Sequence, residues 1–527
     1  MVDIPASTAT TRTISVGGTA SDSLEVAGDR DWFRIQLAAG QAISVALHGI
    51  SLSDPHLVIR NSAGTILYQN DDGGPGLDSL LAFTAASSGT YFIDVGAAQN
   101  NQPGTYQLSV APYSPPALGT IDQIANWLDS GFWDGDAHRF DVTQGGTITV
   151  NLTGLTAEGQ NLARVALDLW SDVIGVTFSE VGVGGQIQFD DLENGTGAFS
   201  DGVWSNGITS SATVNVAVSR FGTGTGIARA GLQTYIHEIG HALGLGHAGD
   251  YNGGTAFSRY PYEATFLNDG SAISIMSYFD NGENSYYASQ GFSNALVVTP
   301  QIADIAAVGL LYGFSTTTRT GNTTYGFNNS SGREVFDAAL HPDFAYTIFD
   351  SGGVDTLDYS GFGNNQLINL NPETFSNVGA SVGNVSIARG VLIESVIGGG
   401  GADRIIGNTA DNVITGRAGN DTLSGGPGND SFKDSAANLS GDTITDFSTG
   451  DKIIITDVTL DGFSFSFSGD ALTYTGGSIT LSGIHNHTLW AAQAQEGGVQ
   501  IALSPVPIVI SAYVMPPSEV DGLFGVP

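Results

Sequence analysis

The sequence predicts a multidomain chain in three parts: a β-sandwich over residues 1–112, an α+β domain over 117–313 and a glycine-rich solenoid within 314–527. Three observations carry this reading. Apolar residues alternate with period two through the first part and form no helical stripe. Helical and strand periodicities mix in the second. In the third, a nine-residue pattern starts at Gly398, Gly407, Gly416 and Gly425, and a fixed period of this kind marks a solenoid.

In the first part, residues 32–37, 43–47 and 91–95 read as strands, and Asn70-Asp71-Asp72-Gly73-Gly74 reads as a turn. Asp71, Asp72 and Asp78 could gather a calcium ion. Asp and Gly are also ordinary turn residues, so a solvated acidic turn is the expectation. Asp29-Arg30-Asp31-Trp32-Phe33, the 71–74 turn and Gly89-Thr90-Tyr91-Phe92 resemble the bacterial pre-peptidase C-terminal domain. Tyr113-Ser114-Pro115-Pro116 reads as a linker. Beyond it, Leu162, Val165, Ala166, Leu169, Trp170 and Val173 share one helical face. Residues 187–189 and 214–218 read as strands. A second helix carries Leu232, Tyr235, Ile236, Ile239 and Leu243 on its apolar side.

The bulk numbers restrict function. Lys and Arg number 16 against 52 Asp and Glu, a formal charge of −36, so the chain repels nucleic acid and anionic membranes. No cysteine is present, which excludes disulfides, thiolate ligands and a thiol nucleophile. The N-terminal residues lack the basic-then-apolar pattern of a signal peptide. No apolar run is long enough to span a membrane.

The densest chemistry lies in His237-Glu238-Ile239-Gly240-His241-Ala242-Leu243-Gly244-Leu245-Gly246-His247. On a helix, positions 237 and 241 are one turn apart and face the same way, so both imidazoles can reach one zinc ion. Glu238 sits beside them without being forced to ligate. Gly244 can turn the chain sharply and return His247 as a third ligand. Three protein ligands leave a position for water, as catalysis requires. The chain has nine histidines, and three of them fall in this window at the required offsets. That pattern is far more specific than the bare His-Glu-x-x-His.

Downstream, Ser274-Ile275-Met276-Ser277-Tyr278 resembles the Met-turn of metzincins. With Trp170-Ser171-Asp172-Val173, Gly249-Asp250-Tyr251-Asn252, Asp304-Ile305-Ala306-Ala307, Leu311-Tyr312-Gly313 and Gly383-Asn384-Val385-Ser386-Ile387-Ala388, the chain is similar to the serralysins, the repeats-in-toxin branch of metzincin zinc metalloproteases, from about Thr120 to Asp451. Ala248 stands where serralysins usually have proline, and the segment between Phe199 and Leu232 is shorter. The resemblance implies a secreted zinc endopeptidase. Glu238 is then the general base, and Tyr278 both a zinc ligand and a stabiliser of the oxyanion. An exposed strand near Ala198-Phe199 is the expected place for substrate to bind by β-augmentation.

In the repeat, glycines expose backbone carbonyls and each Asp adds charge, the oxygen-rich set that calcium prefers. Ile405, Ile414, Leu423 and Phe432 recur at equal offsets as inward residues, a regularity a flexible linker does not need. The resemblance implies a parallel β-roll with calcium held by Gly399, Gly401 and Asp403, by Gly416, Ala418 and Asp421, and by Gly425, Pro427 and Asp430. It extends the ligand set upstream to Arg319, Gly321, Thr323, Asp350, Gly352, Asp355 and Glu394. Asn412 replaces Asp in the second repeat, which weakens or removes a site there. The resemblance also implies export from a Gram-negative cell by a one-step, type I transporter that reads an uncleaved C-terminal signal, here Val520-Asp521-Gly522-Leu523-Phe524-Gly525-Val526-Pro527. Expected partners are protein or peptide substrates, that transporter and a protein inhibitor, with the chain a monomer.

Overall fold

Alternation in the first part builds two four-stranded antiparallel sheets. Their strands are β1 (Thr19–Leu24), β2 (Asp31–Leu37), β3 (Ala42–Gly49), β4 (Pro55–Arg60), β5 (Ile66–Asn70), β6 (Ser79–Thr84), β7 (Gly89–Ala97) and β8 (Gly104–Pro112). One sheet runs β1-β8-β3-β6, the other β2-β7-β4-β5. Inward residues such as Phe33, Ile35, Val45, Leu57, Ile93 and Leu108 form one buried cluster. Asp94 is fully buried, and its carboxylate takes bonds from Arg30 at 2.7 Å and Arg60 at 2.8 Å, which offsets the cost of a desolvated charge. The computed structural model describes residues 3–71, 74, 76–100, 102–192, 197–222, 226–228, 230–252, 260–261, 263–484, 487–504 and 513–514. Asp72 and the expected export signal at 520–527 lie outside these residues. Asp78 is committed elsewhere: its carboxylate meets His48 Nδ1 at 2.5 Å and accepts the Gly49 N–H at 2.9 Å.

The chain separates into two compact units, Met1–Leu118 with Gly249–Leu267, and Gly119–Ala248 with Asn268–Pro527. The segment 249–267 thus groups with the sandwich rather than with the α+β residues around it in sequence. Within that first unit, Leu267 N–H donates to Ala117 O at 2.9 Å and Tyr113 Oη to Pro261 O at 3.4 Å.

The second unit contains α1 (Ile121–Asn126), β9 (Arg139–Phe140), β10 (Thr147–Gly154), α2 (Ala157–Ile174), β11 (Thr177–Glu180), β12 (Ile187–Asp190), β13 (Ala198–Ser205), β14 (Ile208–Val216), α3 (Ala230–Ala242), α4 (Ser285–Ala288) and α5 (Ile302–Tyr312). Its main sheet runs β11-β10-β12-β14-β13. β13 alone in that path pairs antiparallel, and it forms the edge. Thr156 caps α2 by accepting the Gly159 N–H, and Gly175 ends it at φ +67°. The stripe expected on α2 lies on its buried face except for Val165, which is only half-buried, and Trp170 Nε1 donates to Ile236 O of α3 at 3.0 Å.

Residues 324–455 coil mainly through two parallel stacks, with a smaller three-stranded sheet of Tyr346–Ile348, Val385–Ile387 and Phe375–Ser376 beside them. Ser395–Ile397, Val413–Thr415 and Ser431–Asp434 stack in one, and Arg404–Ile406, Thr422–Ser424 and Thr443–Ile444 in the other. The nine-residue period alternates the sheets, so one full coil takes two repeats. Ile405, Ile414, Leu423 and Phe432 are all fully buried, as the spacing predicts. The α+β and solenoid parts form one unit because their junction is bonded. Arg319 and Arg333 both pair with Asp172 of α2, at 2.6 Å and 2.9 Å, and Ser315 N–H donates to Val173 O. Among the described residues, no helix is long and apolar enough to cross a membrane.

Candidate metal centre

α3 places His237 and His241 one turn apart, and their Nε2 atoms lie 3.1 Å from each other. The helix ends at Ala242. Gly244 then adopts φ +110°, and a Cβ there would stand 2.0 Å from His138 O, so only glycine fits. This turn returns His247, whose Nε2 lies 3.0 Å from that of His241. The three imidazoles expected from the sequence converge.

Their protonation follows from the second nitrogen of each ring. His237 Nδ1 is 2.8 Å from Ile275 O and His241 Nδ1 is 2.8 Å from Leu245 O. A carbonyl only accepts, so each Nδ1 carries the proton and each Nε2 presents a bare lone pair. Burial pushes His237 down to about 4 and His241 to about 3, so both rings are neutral at pH 7. Two lone pairs aimed at each other across 3.1 Å repel unless a cation lies between them. A set of three imidazoles, two of them neutral with their Nε2 atoms turned to the others, fits zinc.

Glu238 is 6 % exposed, and burial pushes its carboxyl up to about 8, with Arg220 opposing that push. Tyr278 packs its ring 4.4 Å from that of His247 and 6.0 Å from that of His237, and it is 39 % exposed. Met276 is fully buried beneath the ligands. Gly240 permits this, since a Cβ on it would come within 2.7 Å of Met276 Sδ.

One supporting residue was visible in the sequence only as part of a closing motif. Asp304, fully buried in the first turn of α5, accepts bonds from the Ser274 hydroxyl at 2.6 Å and from the Ile275 and Gln301 N–H groups at 2.7 Å each. It therefore pins the turn whose Ile275 carbonyl holds His237. An acidic residue beginning an otherwise apolar helix was the available signal. A second group missed in the sequence is Asp3, Asp29 and Asp31 of the sandwich, whose carboxylate oxygens lie within 4.8 Å of one another.

The acidic residues of the coil form two columns. In one, Asp403 Oδ1 accepts the Gln366 N–H, Asp421 Oδ1 the Asp403 N–H and Asp442 Oδ1 the Asp421 N–H. In the other, Asp355 accepts from Thr323, Glu394 from Asp355, Asp430 from Asn412 and Asp451 from Asp430. The Oδ2 atoms of Asp355, Asp421 and Asp430 are buried without a partner, as oxygens awaiting a cation would be. Burial holds all three carboxyls up at about 6. Asp350 instead commits both oxygens, to Tyr325 Oη and Gly352 N–H, and Asp403 gives its second to Gly399 N–H. Arg319 is left-handed at φ +50°. Gly401, Gly416, Ala418, Gly425 and Pro427 line the turns beside the columns. Asn412 differs: its Nδ2 donates to Ile393 O, Glu394 O and Asn408 Oδ1, and its Oδ1 accepts the Asn408 N–H, so no oxygen there is orphaned.

Three family profiles match parts of this chain. Residues 314–495 match the family profile "Peptidase M10 serralysin C terminal", residues 193–273 match "Peptidase M66", and residues 29–97 match "Bacterial pre-peptidase C-terminal domain". The chain is similar in sequence to serralysins. It is 40% identical over 323 residues to Metallopeptidase AprA of Pseudomonas marginalis, covering 54% of this chain and 65% of that relative. It is 38% identical over 320 residues to Metalloprotease AprA of Pseudomonas entomophila, covering 54% and 63%. Serralysin C of Dickeya chrysanthemi is 39% identical over 261 residues, covering 47% and 53%. The chain thus spans less than two thirds of the length of these relatives. The Peptidase M66 match includes all three histidines and Glu238.

Proposed function

We propose that this chain is a zinc-dependent endopeptidase that acts outside the cell, hydrolysing peptide bonds in proteins. The observation that carries the proposal is the convergence of three imidazole Nε2 atoms, two of the rings oriented by backbone carbonyls. His237, His241 and His247 would hold the zinc ion. Zinc there supplies Lewis acidity, which eases deprotonation of water and polarises a carbonyl.

The chain's own residues do the rest. A substrate in extended conformation pairs with the free edge of β13, the β-augmentation mode. Glu238 would take the proton of the attacking water and deliver it to the leaving amine, the charge of a bound zinc ion offsetting the burial that otherwise keeps its carboxyl protonated. Tyr278, 39 % exposed beside His247, would present its hydroxyl to the oxyanion. Calcium at the two acidic columns would neutralise Asp355, Asp421 and Asp430 and stabilise the coil, so folding there is linked to ion binding. A type I export route suits a coil that closes only in calcium-rich surroundings. We assign the sandwich a substrate- or surface-binding role separate from the chemistry.

The test is casein digestion by the zinc-loaded chain, by the chelated chain and by Glu238→Ala. Activity that survives both chelation and Glu238→Ala defeats the proposal.

A further inference from the structure

The turn that follows α3 carries more of the metal site than the one histidine it delivers. Its Leu245 O orients His241, and it leads into His247. Two of the three imidazoles therefore depend on residues beyond the end of α3 at Ala242. Carbonyls at a helix end have no partner within the helix and must find one elsewhere. Leu243 O accepts from Tyr312 Oη at 2.9 Å, and Gly244 O accepts from Trp133 Nε1, also at 2.9 Å. The indole that makes the second bond is held from several sides. Asp134 at φ +56° and Gly135 at φ +89° fold the chain back just after it. Its ring meets those of Phe132 at 4.8 Å, His138 at 4.9 Å and Trp204 at 5.5 Å, each edge to face. A donor packed in this way has little rotamer freedom left to lose when it bonds.

We propose that Trp133 is a positioning residue of the metal site: its indole N–H sets the peptide plane between Gly244 and Leu245, and through it the directions of His241 and His247. This rests on the zinc reading of the three histidines. That peptide group is bonded at both ends. Its N–H, on Leu245, donates to Gly240 O at 3.0 Å, and its carbonyl, on Gly244, accepts the indole. A plane bonded at one end can still tilt, and one bonded at both is set. The second bond matters because residue 244 is glycine, whose backbone is otherwise soft. Tilting the plane moves Leu245, whose own carbonyl holds His241 Nδ1 at 2.8 Å. The neighbours of Trp133 grip the next two residues of the same turn. Gly246 N–H donates to Leu128 O at 2.7 Å, and the Phe132 ring stands edge to face against that of His247 at 5.3 Å. The segment around Trp133 thus meets the turn at Gly244, Gly246 and His247 in succession.

The experiment removes the N–H and keeps a ring in place, in the full chain. Two changes do this: Trp133→Phe, and benzothienylalanine at position 133, an isostere with sulfur where the indole has its N–H. The control is Trp490→Phe. Trp490 Nε1 also donates to a backbone carbonyl, Leu503 O at 3.0 Å, but within the C-terminal sheet. The readouts are zinc affinity by competition with a chromogenic chelator, the visible spectrum of the cobalt-substituted chain, and circular dichroism of the metal-free chain. The expected result is that both changes at 133 weaken zinc binding about tenfold and shift the cobalt bands, the usual scale for loss of an outer support. Trp490→Phe should alter neither. The isostere decides where the two changes at 133 disagree. Unchanged zinc affinity and cobalt bands in it, or an equal loss in Trp490→Phe, overturn the assignment while leaving the zinc reading intact. So does a chain that folds with neither change at 133, since Trp133 then serves the fold and not the site. An unaltered chain that takes up no zinc overturns both.

Discussion

Asp304 offers the sharpest check on how the metal site is held together. Its carboxylate satisfies three buried donors, the Ser274 hydroxyl and the Ile275 and Gln301 N–H groups. Asp304→Ala strands them all. A buried donor left without a partner costs about 1–3 kcal/mol, so the loss is roughly 3–6 kcal/mol, allowing for one rotating hydroxyl. Asp304→Asn behaves differently. Oδ2 accepts both backbone N–H groups, so the amide oxygen can take that place while the amide nitrogen faces the Ser274 hydroxyl, which turns round to accept. Only the added strength of a charged acceptor is lost, about 1–2 kcal/mol. Because Ile275 O orients His237, the Ala variant should also weaken zinc binding by about 10- to 100-fold, the usual effect of removing an outer support. The assays are zinc competition against a chromogenic chelator and thermal unfolding with and without zinc. The reasoning fails if Asp304→Ala holds zinc as tightly as the unchanged chain, or if Asp304→Asn is as damaging as Ala.

Further outcomes follow from the same geometry. Glu238→Ala should retain zinc and lose about 10²–10⁴-fold in kcat, read from metal content and peptide turnover together. Gly244→Ala, with its Cβ 2.0 Å from His138 O, should abolish zinc binding while leaving the coil folded, as seen by metal analysis and circular dichroism. In chelator, the coil should gain thermal stability as pH falls from 8 towards 5. Burial raises Asp355, Asp421 and Asp430 to about 6 and Asp442 to about 7, above the usual 3.8, so the native state binds protons that the unfolded chain does not. With calcium bound the trend should reverse, since protons then compete with the ion; parallel melts across pH decide this. A chain beginning at Gly119 should fold and cleave short peptides, but its 249–267 segment, deprived of its unit, should become the first site of limited proteolysis.

What the sequence made legible follows from how local each signal is. The eleven-residue zinc window needs only one helix and one glycine turn, so its convergence could be read from spacing. The period of the coil repeats every nine residues, so even its inward positions could be named. The support from Asp304 could not, because it joins residues 30 positions apart through a fold the spacing does not encode. Nor could the grouping of 249–267 with the sandwich, since the segment sits in sequence between the zinc window and the Met-turn. The strand order of the sandwich was equally hidden, because alternation tells which face is buried but not which neighbour is paired. Asn412 was legible as a departure. That it would serve as a hydrogen-bond donor to two carbonyls became visible only with the coil closed around it.

The two acidic columns give the coil a parity. Alternate repeats feed opposite columns, and each carboxylate closes the residue below it in its own column: Asp421 closes Asp403, and Asp430 closes Asn412. Excising eighteen residues in the repeat removes one member from each column and leaves every later carboxylate on its own side. Excising nine moves the whole downstream chain across, so Asp442 and Asp451 each arrive in the other's column. Those two are not interchangeable. Asp451 spends its second oxygen on its own turn, at Ser448 N–H, whereas the backbone of Asp442 receives the Thr480 N–H from a later strand. Length variation in such a coil is therefore quantised in pairs of repeats, and an odd change is a frameshift in three dimensions.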